Sequence, residues 1–215
     1  APTPDITCMI RSFFAAWRVA AILTCLCLQL ALPKLAVGDT YERGIAALDA
    51  GNYDEALFHI SLLAANDDPR AQYTMGVMHR RGLGVAQDDR EALLWYLAAA
   101  EAEHMLGQYA AGLAFDRAVG TDRDVGNALH YLGEAALQGH AAAPVQIGAI
   151  HFLGDGIKVD HARAYFWWQI GVNRNAPGAT QNMFRLKQEI SDQDLIRAEG
   201  YLTTCQTKTL RQCRP

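Results

Sequence analysis

Apolar residues recur at spacings of three and four along most of the chain, and this spacing predicts helices. Two such stretches flank a glycine-rich middle, AQYTMGVMHRRG and DREALLWYLAAAEA, and together they predict a helix hairpin. The small residues Gly76 and Ala92 would let the two backbones approach closely, while Trp95 and Tyr96 with nearby alanines would fill the space between them. We expect the Trp95 ring to fill the core of this hairpin.

The hairpin repeats with a period of 36 residues and without insertion. Five columns of the repeat carry the same or a similar residue: Gly76, Gly112 and Gly148; Gly84, Gly120 and Gly156; Asp88, Asp124 and Asp160; Ala92, Ala128 and Ala164; Trp95, Tyr131 and Trp167. Agreement in five columns at once indicates three copies of one structural unit.

The ends of the helices are marked by residues with known preferences. Gly82 and Gly84 are predicted to end the first helix of the unit in a left-handed conformation, and Asp88 to cap the second. Pro144 falls in the first turn of its helix, where no backbone donor is lost. In the second copy Ala118 stands where a loop glycine is expected, so this loop departs from the pattern while its hairpin keeps it.

Shorter helical segments flank the three copies. Residues 41–64 form a hairpin in which Gly44 and Ala56 are 12 residues apart, against 16 in the later units. After the third copy two more helices are predicted, the second opened by a capping box of Ser191 and Asp194. We expect these segments to seal the ends of one continuous all-α array.

The pattern AQYTMGVMHRRGLGVAQDDREALLWYLAAA closely resembles the Sel-one-like repeat, a tetratricopeptide variant with a longer loop between its helices. The next two copies resemble it more loosely, and the segment around Gly44, Gly51, Tyr53 and Ala56 resembles an ordinary tetratricopeptide unit. The resemblance covers residues 41–175 and implies a right-handed α-solenoid that acts as an adaptor in protein complexes. We therefore divide the chain as follows: a signal segment 1–38, a tetratricopeptide-like hairpin 39–66, three Sel-one-like repeats 67–175, capping helices 176–204 and a tail 205–215.

The signal segment has the layout of a secretory signal peptide, preceded by a short extension. Two arginines follow Met9, an apolar run extends from Val19 to Leu32, and small residues precede a cleavage position after Gly38, with Ala36 as an alternative. The run is short for a membrane span. We expect a periplasmic or secreted protein with no stable membrane span after processing; an uncleaved anchoring helix is the alternative.

Charge and cysteine content fit export. The chain has 19 basic and 23 acidic residues, and removal of residues 1–38 would leave 16 and 22, a net charge of −6 that disfavours nucleic-acid binding. Only Cys205 and Cys213 would remain, and an even count in an exported chain favours a disulfide that pins the tail. Their spacing matches neither a redox motif nor a zinc site.

The sequence offers no pattern of catalysis. It has no HExxH helix, no diagnostic carboxylate pair and no nucleophile elbow, and we predict no cofactor and no metal. His79 and His151 share a column with Phe115, so they are interpreted as packed aromatic rings. His104 and His140 are likewise equivalent to each other and are interpreted as structural.

Matching to the tetratricopeptide pattern places a set of side chains in the groove where such a solenoid binds its partner. They are Arg70, Tyr73, Arg80, Arg81, Tyr109, Arg117 and Phe152, with Leu153 beside the last. Arginines and tyrosines suit a carboxylate-bearing peptide tail or an acidic segment of a protein. The alternative is that these are simply solvated charges on helices.

The leading functional hypothesis is a non-catalytic scaffold that binds another protein or peptide in the bacterial cell envelope. A second hypothesis is binding of carbohydrate or cell-wall fragments, for which Trp168 would have to be exposed, since Trp167 belongs to the core column. A third, hydrolysis of β-lactams, is suggested by exported relatives with a cysteine pair in each repeat. This chain has no cysteine within residues 41–175, which argues against it.

Overall fold

The computed structural model describes residues 37–206 and 209–215, and within them the chain forms eleven helices and no strand. The signal segment predicted for residues 1–38 thus falls almost wholly outside the described residues. The helices are α1 (Val37–Asp49), α2 (Tyr53–Ala64), α3 (Pro69–Arg81), α4 (Asp89–Glu101), α5 (Met105–Arg117), α6 (Val125–Leu137), α7 (Ala143–Leu153), α8 (His161–Asn173), α9 (Ala179–Leu186), α10 (Asp192–Gln206) and α11 (Leu210–Cys213).

Consecutive helices pack together in pairs, and the pairs stack on one another. The hairpins are α1 with α2, α3 with α4, α5 with α6, and α7 with α8, and each second helix also contacts the first helix of the next hairpin. In each hairpin we call the first member the first helix and the other the second helix. The predicted α-solenoid is confirmed.

A glycine of each first helix packs directly against a large side chain of the second. A Cβ atom added at Gly76 would lie 2.5 Å from the Tyr96 ring, and one added at Gly148 would lie 2.5 Å from the Trp168 ring. In the other two hairpins Ile60 and Leu132 hold the same position against Gly44 and Gly112. The interior of each hairpin is thus built on one glycine and one bulky residue.

The ring that fills the hairpin of α3 and α4 is Tyr96, and the prediction that Trp95 fills it is wrong. Tyr96 is 4% exposed, whereas Trp95 is half-buried and packs against a cluster that the preceding hairpin forms together with α3. Tyr131 and Trp167 likewise lie in clusters that their own hairpin forms with the preceding one. A one-residue step along a helix turns a side chain by about 100°, which separates the two neighbouring columns.

The loops between first and second helices keep one geometry in all three long units. The first helix ends in a left-handed residue, with φ of 67° at Gly82 and Gly154 and 54° at Ala118, so the second unit keeps the turn without glycine. The predicted caps form, since the carboxylates of Asp88, Asp124 and Asp160 accept hydrogen bonds from the first turns of α4, α6 and α8.

Each long loop rests on the start of the preceding second helix. Gly84 lies against Tyr53, Gly120 against Asp89, and Gly156 against Val125, which are the first residues of α2, α4 and α6. Gly120 has φ of 72°, and a Cβ atom added there would overlap the backbone carbonyl of Asp89. The column of loop glycines therefore sets the spacing between repeats.

The C-terminal helices close the far end of the stack. Helices α9 and α10 both pack on α8, where the rings of Tyr201 and Phe166 meet edge to face. Ser191 caps α10 by accepting a hydrogen bond from the Asp194 amide at 3.1 Å. No helix of the described part of the chain is both long and apolar enough to cross a membrane.

The tail is fastened to the array at two points. A disulfide joins Cys205 in α10 to Cys213 in α11, with Cα atoms 5.1 Å apart. Glu134 of α6 pairs with Arg211 at 2.7 Å and with Arg214 at 3.6 Å. These contacts hold residues 209–215 between α10 and α6.

Candidate binding face on the first helices

Five of the side chains predicted to contact a partner lie together on α3 and α5, which are first helices that contact each other. We call Tyr73, Arg80, Arg81, Tyr109 and Arg117 the arginine–tyrosine face. Tyr73 and Tyr109 occupy the same column of the repeat near the start of each helix, and Arg81 and Arg117 occupy the same column at its end. The repeat thus presents the same pair of chemistries twice.

Each tyrosine of the face packs on a histidine of the next repeat. The rings of Tyr109 and His140 are stacked with centroids 3.9 Å apart, and those of Tyr73 and His104 are tilted with centroids 5.5 Å apart. Burial raises the pKa of both tyrosines, so their hydroxyl groups stay protonated at neutral pH. The face therefore offers neutral phenol groups beside its arginine side chains.

His104 and His140 are structural, as the sequence analysis interpreted them. The Nδ1 atom of His104 accepts a hydrogen bond from the Gly107 amide at 3.3 Å, and that of His140 accepts one from the Ala143 amide at 3.2 Å. Burial lowers the pKa of both rings, aided at His140 by Arg174. Because an accepting Nδ1 carries no proton, the neutral ring is the form that caps the helix.

The three arginines of the face are exposed and carry unpaired charge. Arg81 and Arg117 form no ion pair with any described residue, while Arg80 lies near the Tyr96 side chain. Arg80 and Arg117 line a crevice that also includes Asp89, but its volume of about 10 Å³ holds no more than a water molecule. A partner would therefore lie across this surface and would not enter a pocket.

Two predicted contact residues are engaged elsewhere. Arg70 pairs with Asp68 through two contacts of 2.9 and 3.3 Å, and its guanidinium also lies 4.5 Å from the centre of the Tyr41 ring. Phe152 is only 9% exposed, because α9 places Arg185 over its ring at 4.9 Å. The prediction that Phe152 forms an apolar end of the groove is therefore wrong, although Leu153 beside it is exposed.

Carbohydrate binding would need an exposed tryptophan, and neither Trp167 nor Trp168 is exposed. Trp168 is 2% exposed and its indole N–H donates to the Val145 carbonyl at 3.0 Å, while Trp167 is 4% exposed. The expectation that Trp168 is available at the surface is wrong, because the second residue of the aromatic pair is the one that enters the hairpin.

Within the described residues no three His, Cys, Asp or Glu side chains are arranged to hold a metal ion. The packed-ring interpretation fits His151, which is 5% exposed, and His79, which is half-buried. Sequence reasoning missed a cleft near the C-terminus that involves Lys158, Arg163 and Arg197. Those side chains lie on different elements. Arg197 is outside the 36-residue repeat, so the repeat pattern does not predict that it lies near the other two.

The Sel1 repeat family model matches the chain four times, at residues 34–68, 69–104, 105–140 and 143–175. The first match takes in the hairpin of α1 and α2, which the sequence analysis compared with an ordinary tetratricopeptide unit. Among curated proteins no sequence matches this chain.

Two solved structures share the fold. A Sel1 repeat protein from Oxalobacter formigenes is 24% identical with a TM-score of 0.64, over 75% of this chain and 68% of that one. The protein c5321, a protective antigen present in uropathogenic Escherichia coli strains and displaying an SLR fold, is 25% identical with a TM-score of 0.65, over 68% of this chain and 32% of that one. The chain thus spans about a third of the length of c5321. The four matches cover well over half of the chain, so it belongs to the Sel1 repeat family, whose members generally serve as scaffolds for protein interaction.

Proposed function

We propose that this chain is a non-catalytic scaffold of the bacterial cell envelope that binds an acidic or carboxylate-terminated segment of another protein through its arginine–tyrosine face. The observation that carries the proposal is the pair of unpaired, exposed guanidinium groups of Arg81 and Arg117, one repeat apart. A guanidinium presents a planar fork of donors that matches a carboxylate.

The arrangement of these side chains favours binding of a segment in an extended conformation over binding of a compact ligand. Tyr73 and Tyr109 sit on rigid helices and are held by ring contacts with the next repeat, so little side-chain entropy is lost when a partner packs on them. The crevice between Arg80 and Arg117 is too small for an inserted ligand. A peptide lying across α3 and α5 would meet one arginine and one tyrosine from each repeat.

The face is tested by photo-crosslinking in cells that make the protein. A photoreactive phenylalanine analogue placed at Tyr109 should crosslink a partner, and mass spectrometry should map the linked site to an acidic or C-terminal segment. The same analogue at Phe58, an exposed residue of the second helix α2, serves as the control. Crosslinking to the same partner from both positions with equal yield would contradict the proposal.

Charge-removing variants extend this test. Replacing Arg81 and Arg117 by alanine should weaken binding of the identified segment by about tenfold or more, with a smaller loss at high salt. Replacing the exposed Arg90 and Lys187, which lie outside the face, gives a variant with the same change of net charge and should leave affinity nearly unchanged. Calorimetry measures the affinity of both double variants. An equal loss of affinity in the two would show that binding depends on net charge and not on the arginine–tyrosine face.

The envelope setting rests on the N-terminal sequence pattern. Fractionation of the native cells followed by N-terminal sequencing should find the protein outside the cytoplasm and beginning at Asp39, or at Val37 if cleavage follows Ala36. An intact Met9 at the start of the isolated protein would contradict cleavage.

A further inference from the structure

A second concave surface lies near the C-terminus, separate from the arginine–tyrosine face. It is a cleft of about 610 Å³ between α6, the loop that joins α7 to α8, the start of α8 and the start of α10. We call it the C-terminal cleft; its lining includes Leu129, His151, Ile157, Lys158, Val159 and Arg163. Its volume is in the range of pockets that hold small molecules.

The carboxylates of the cleft are already satisfied within the protein. Asp160 accepts hydrogen bonds from the Arg163 amide at 3.0 Å and from the Arg197 guanidinium at 2.6 Å. Asp194 accepts one from the Ser191 hydroxyl at 3.0 Å and pairs with Arg197 at 3.4 Å. Both carboxylates are therefore already paired with Arg197, so they do not favour binding of a cation from solution.

The positively charged side chains of the cleft are only partly paired with carboxylates. Lys158 is exposed and forms no ion pair with any described residue. The Nε atom of Arg163 is buried without a hydrogen-bond partner, and its 3.5 Å separation from the nearer Asp160 oxygen is too long for a good hydrogen bond. With Arg197 the cleft holds three cations against two carboxylates, so one positive charge and one buried donor remain unmatched.

The inner wall of the cleft is a buried histidine. His151 is 5% exposed, and its Nδ1 atom is buried without a hydrogen-bond partner. Burial, aided by the nearby Arg163, lowers its pKa to about 4, so the ring is neutral at pH 7. The equivalent residue of the preceding repeat is Phe115, so an apolar ring satisfies the packing at this position, and the imidazole adds a polar atom that packing does not need.

We propose that the C-terminal cleft binds a small organic anion, a carboxylate or phosphate joined to an apolar group. The anion lies between Lys158 and Arg163 and accepts hydrogen bonds from the accessible end of the Arg163 guanidinium, since that side chain is 44% exposed. The apolar group lies against Leu129, Ile157 and Val159, which form the apolar part of the lining. This inference stands independently of the partner bound by the arginine–tyrosine face, with which the cleft shares no residue.

The test is a titration of the ¹⁵N-labelled protein at pH 7, followed by nuclear magnetic resonance. Benzoate and phenyl phosphate are the probes, and benzyl alcohol is the neutral molecule of similar shape. We expect saturable shifts of the Arg163 Nε–H signal and of the amides of 157–159 with at least one of the anions, and binding of benzyl alcohol weaker by about tenfold or more. The stronger of the two anions identifies carboxylate or phosphate as the ligand group.

Matched variants locate the binding. Lys158→Gln and Arg163→Gln should each weaken binding by about fivefold or more, whereas Lys187→Gln, an exposed lysine outside the cleft, should not change it. Lys158 lies in an exposed loop, so its variant keeps the fold even if the Arg163 variant does not. The proposal is overturned if neither anion gives saturable shifts, if benzyl alcohol binds equally well, if inorganic phosphate binds as tightly as phenyl phosphate, or if Lys158→Gln binds like Lys187→Gln.

Discussion

At the scale of single residues, the repeat depends on glycines that serve two different purposes. Gly76 and its equivalents in α5 and α7 leave room for a neighbouring side chain, whereas Gly82 and Gly120 supply a left-handed backbone. The sequence predicts both purposes, close approach at Gly76 and a left-handed backbone at Gly82, and the contacts add that the group packed against Gly76 is the Tyr96 ring.

Gly76→Ala should destabilise the protein by about 1 to 3 kcal/mol, because the new methyl group would overlap the buried Tyr96 ring and approach the Ala92 carbonyl at 3.1 Å. Gly200→Ala is the matched control, since that helical glycine of α10 has no atom within 4 Å of an added Cβ. It should stabilise by about 0.5 to 1 kcal/mol through helix propensity alone. Urea denaturation checks both, and equal signs for the two changes would contradict the role assigned to Gly76.

Ala118→Gly should stabilise the protein by up to about 1 kcal/mol, because Ala118 holds φ of 54° at a position where a Cβ is unfavourable. The reverse change at the equivalent position, Gly82→Ala, should destabilise by about 1 kcal/mol, since φ is 67° there. Thermal unfolding followed by circular dichroism measures both. A loss of stability in Ala118→Gly would mean that the second loop uses this methyl group.

At the scale of helices, the two adjacent bulky columns of each second helix have different tasks. Tyr96 and its equivalents fill their own hairpin, and Trp95 and its equivalents seal the joint with the preceding hairpin. The period of 36 residues predicts that both columns are buried, and it gives the hairpins, caps and loops correctly. It does not predict which column faces inward, because both satisfy the apolar spacing of a helix.

Tyr96→Ala should cost about 3 to 5 kcal/mol, since the residue is almost fully buried and the cavity left beside Gly76 has no side chain to fill it. Trp95→Ala should cost less, about 1 to 3 kcal/mol, because Trp95 is half-buried in the joint between hairpins. Chemical denaturation of the two variants provides the comparison, and a larger loss for Trp95→Ala would restore that tryptophan as the core ring.

At the scale of the whole molecule, the stack is predictable in its repeated part, whereas at the C-terminal end the helices, the Ser191 cap and the disulfide are predictable and the contacts between distant elements are not. The fold of α3 to α8 follows from columns that recur, whereas Phe152 was misassigned because α9 and Arg185 cover it. The C-terminal cleft depends on α10 bringing Arg197 beside Asp160, 37 residues earlier. Such contacts belong to one place in the chain and leave no periodic signal.

Acidification should weaken the whole array. The pKa of His151 is about 4 in the folded protein against about 6.5 for an unfolded histidine, so the unfolded chain binds a proton first. Stability is therefore fully present above about pH 6.5, falls by about 3 kcal/mol as the pH drops towards 4, and is not lost further from this source below that. His104 and His140, whose pKa values burial lowers, act in the same direction.

His151→Phe should flatten much of this pH dependence, because Phe115 shows that the column accepts an apolar ring. Denaturation at a series of pH values from 7.5 to 4 measures the effect, with the exposed His130→Gln as the control that keeps the original slope. An unchanged slope in His151→Phe would assign the acid sensitivity to other groups.

The docking of each loop glycine on the first turn of the preceding second helix has a consequence for how such arrays change in length. Hairpins contact mainly their immediate neighbours, so gain or loss of one whole 36-residue unit preserves every contact between neighbouring hairpins. An insertion or deletion of part of a unit would leave one loop glycine without the helix start against which it packs. In-frame duplication of a single unit can therefore lengthen the rod, and with it the reach across a partner, without requiring a new fold.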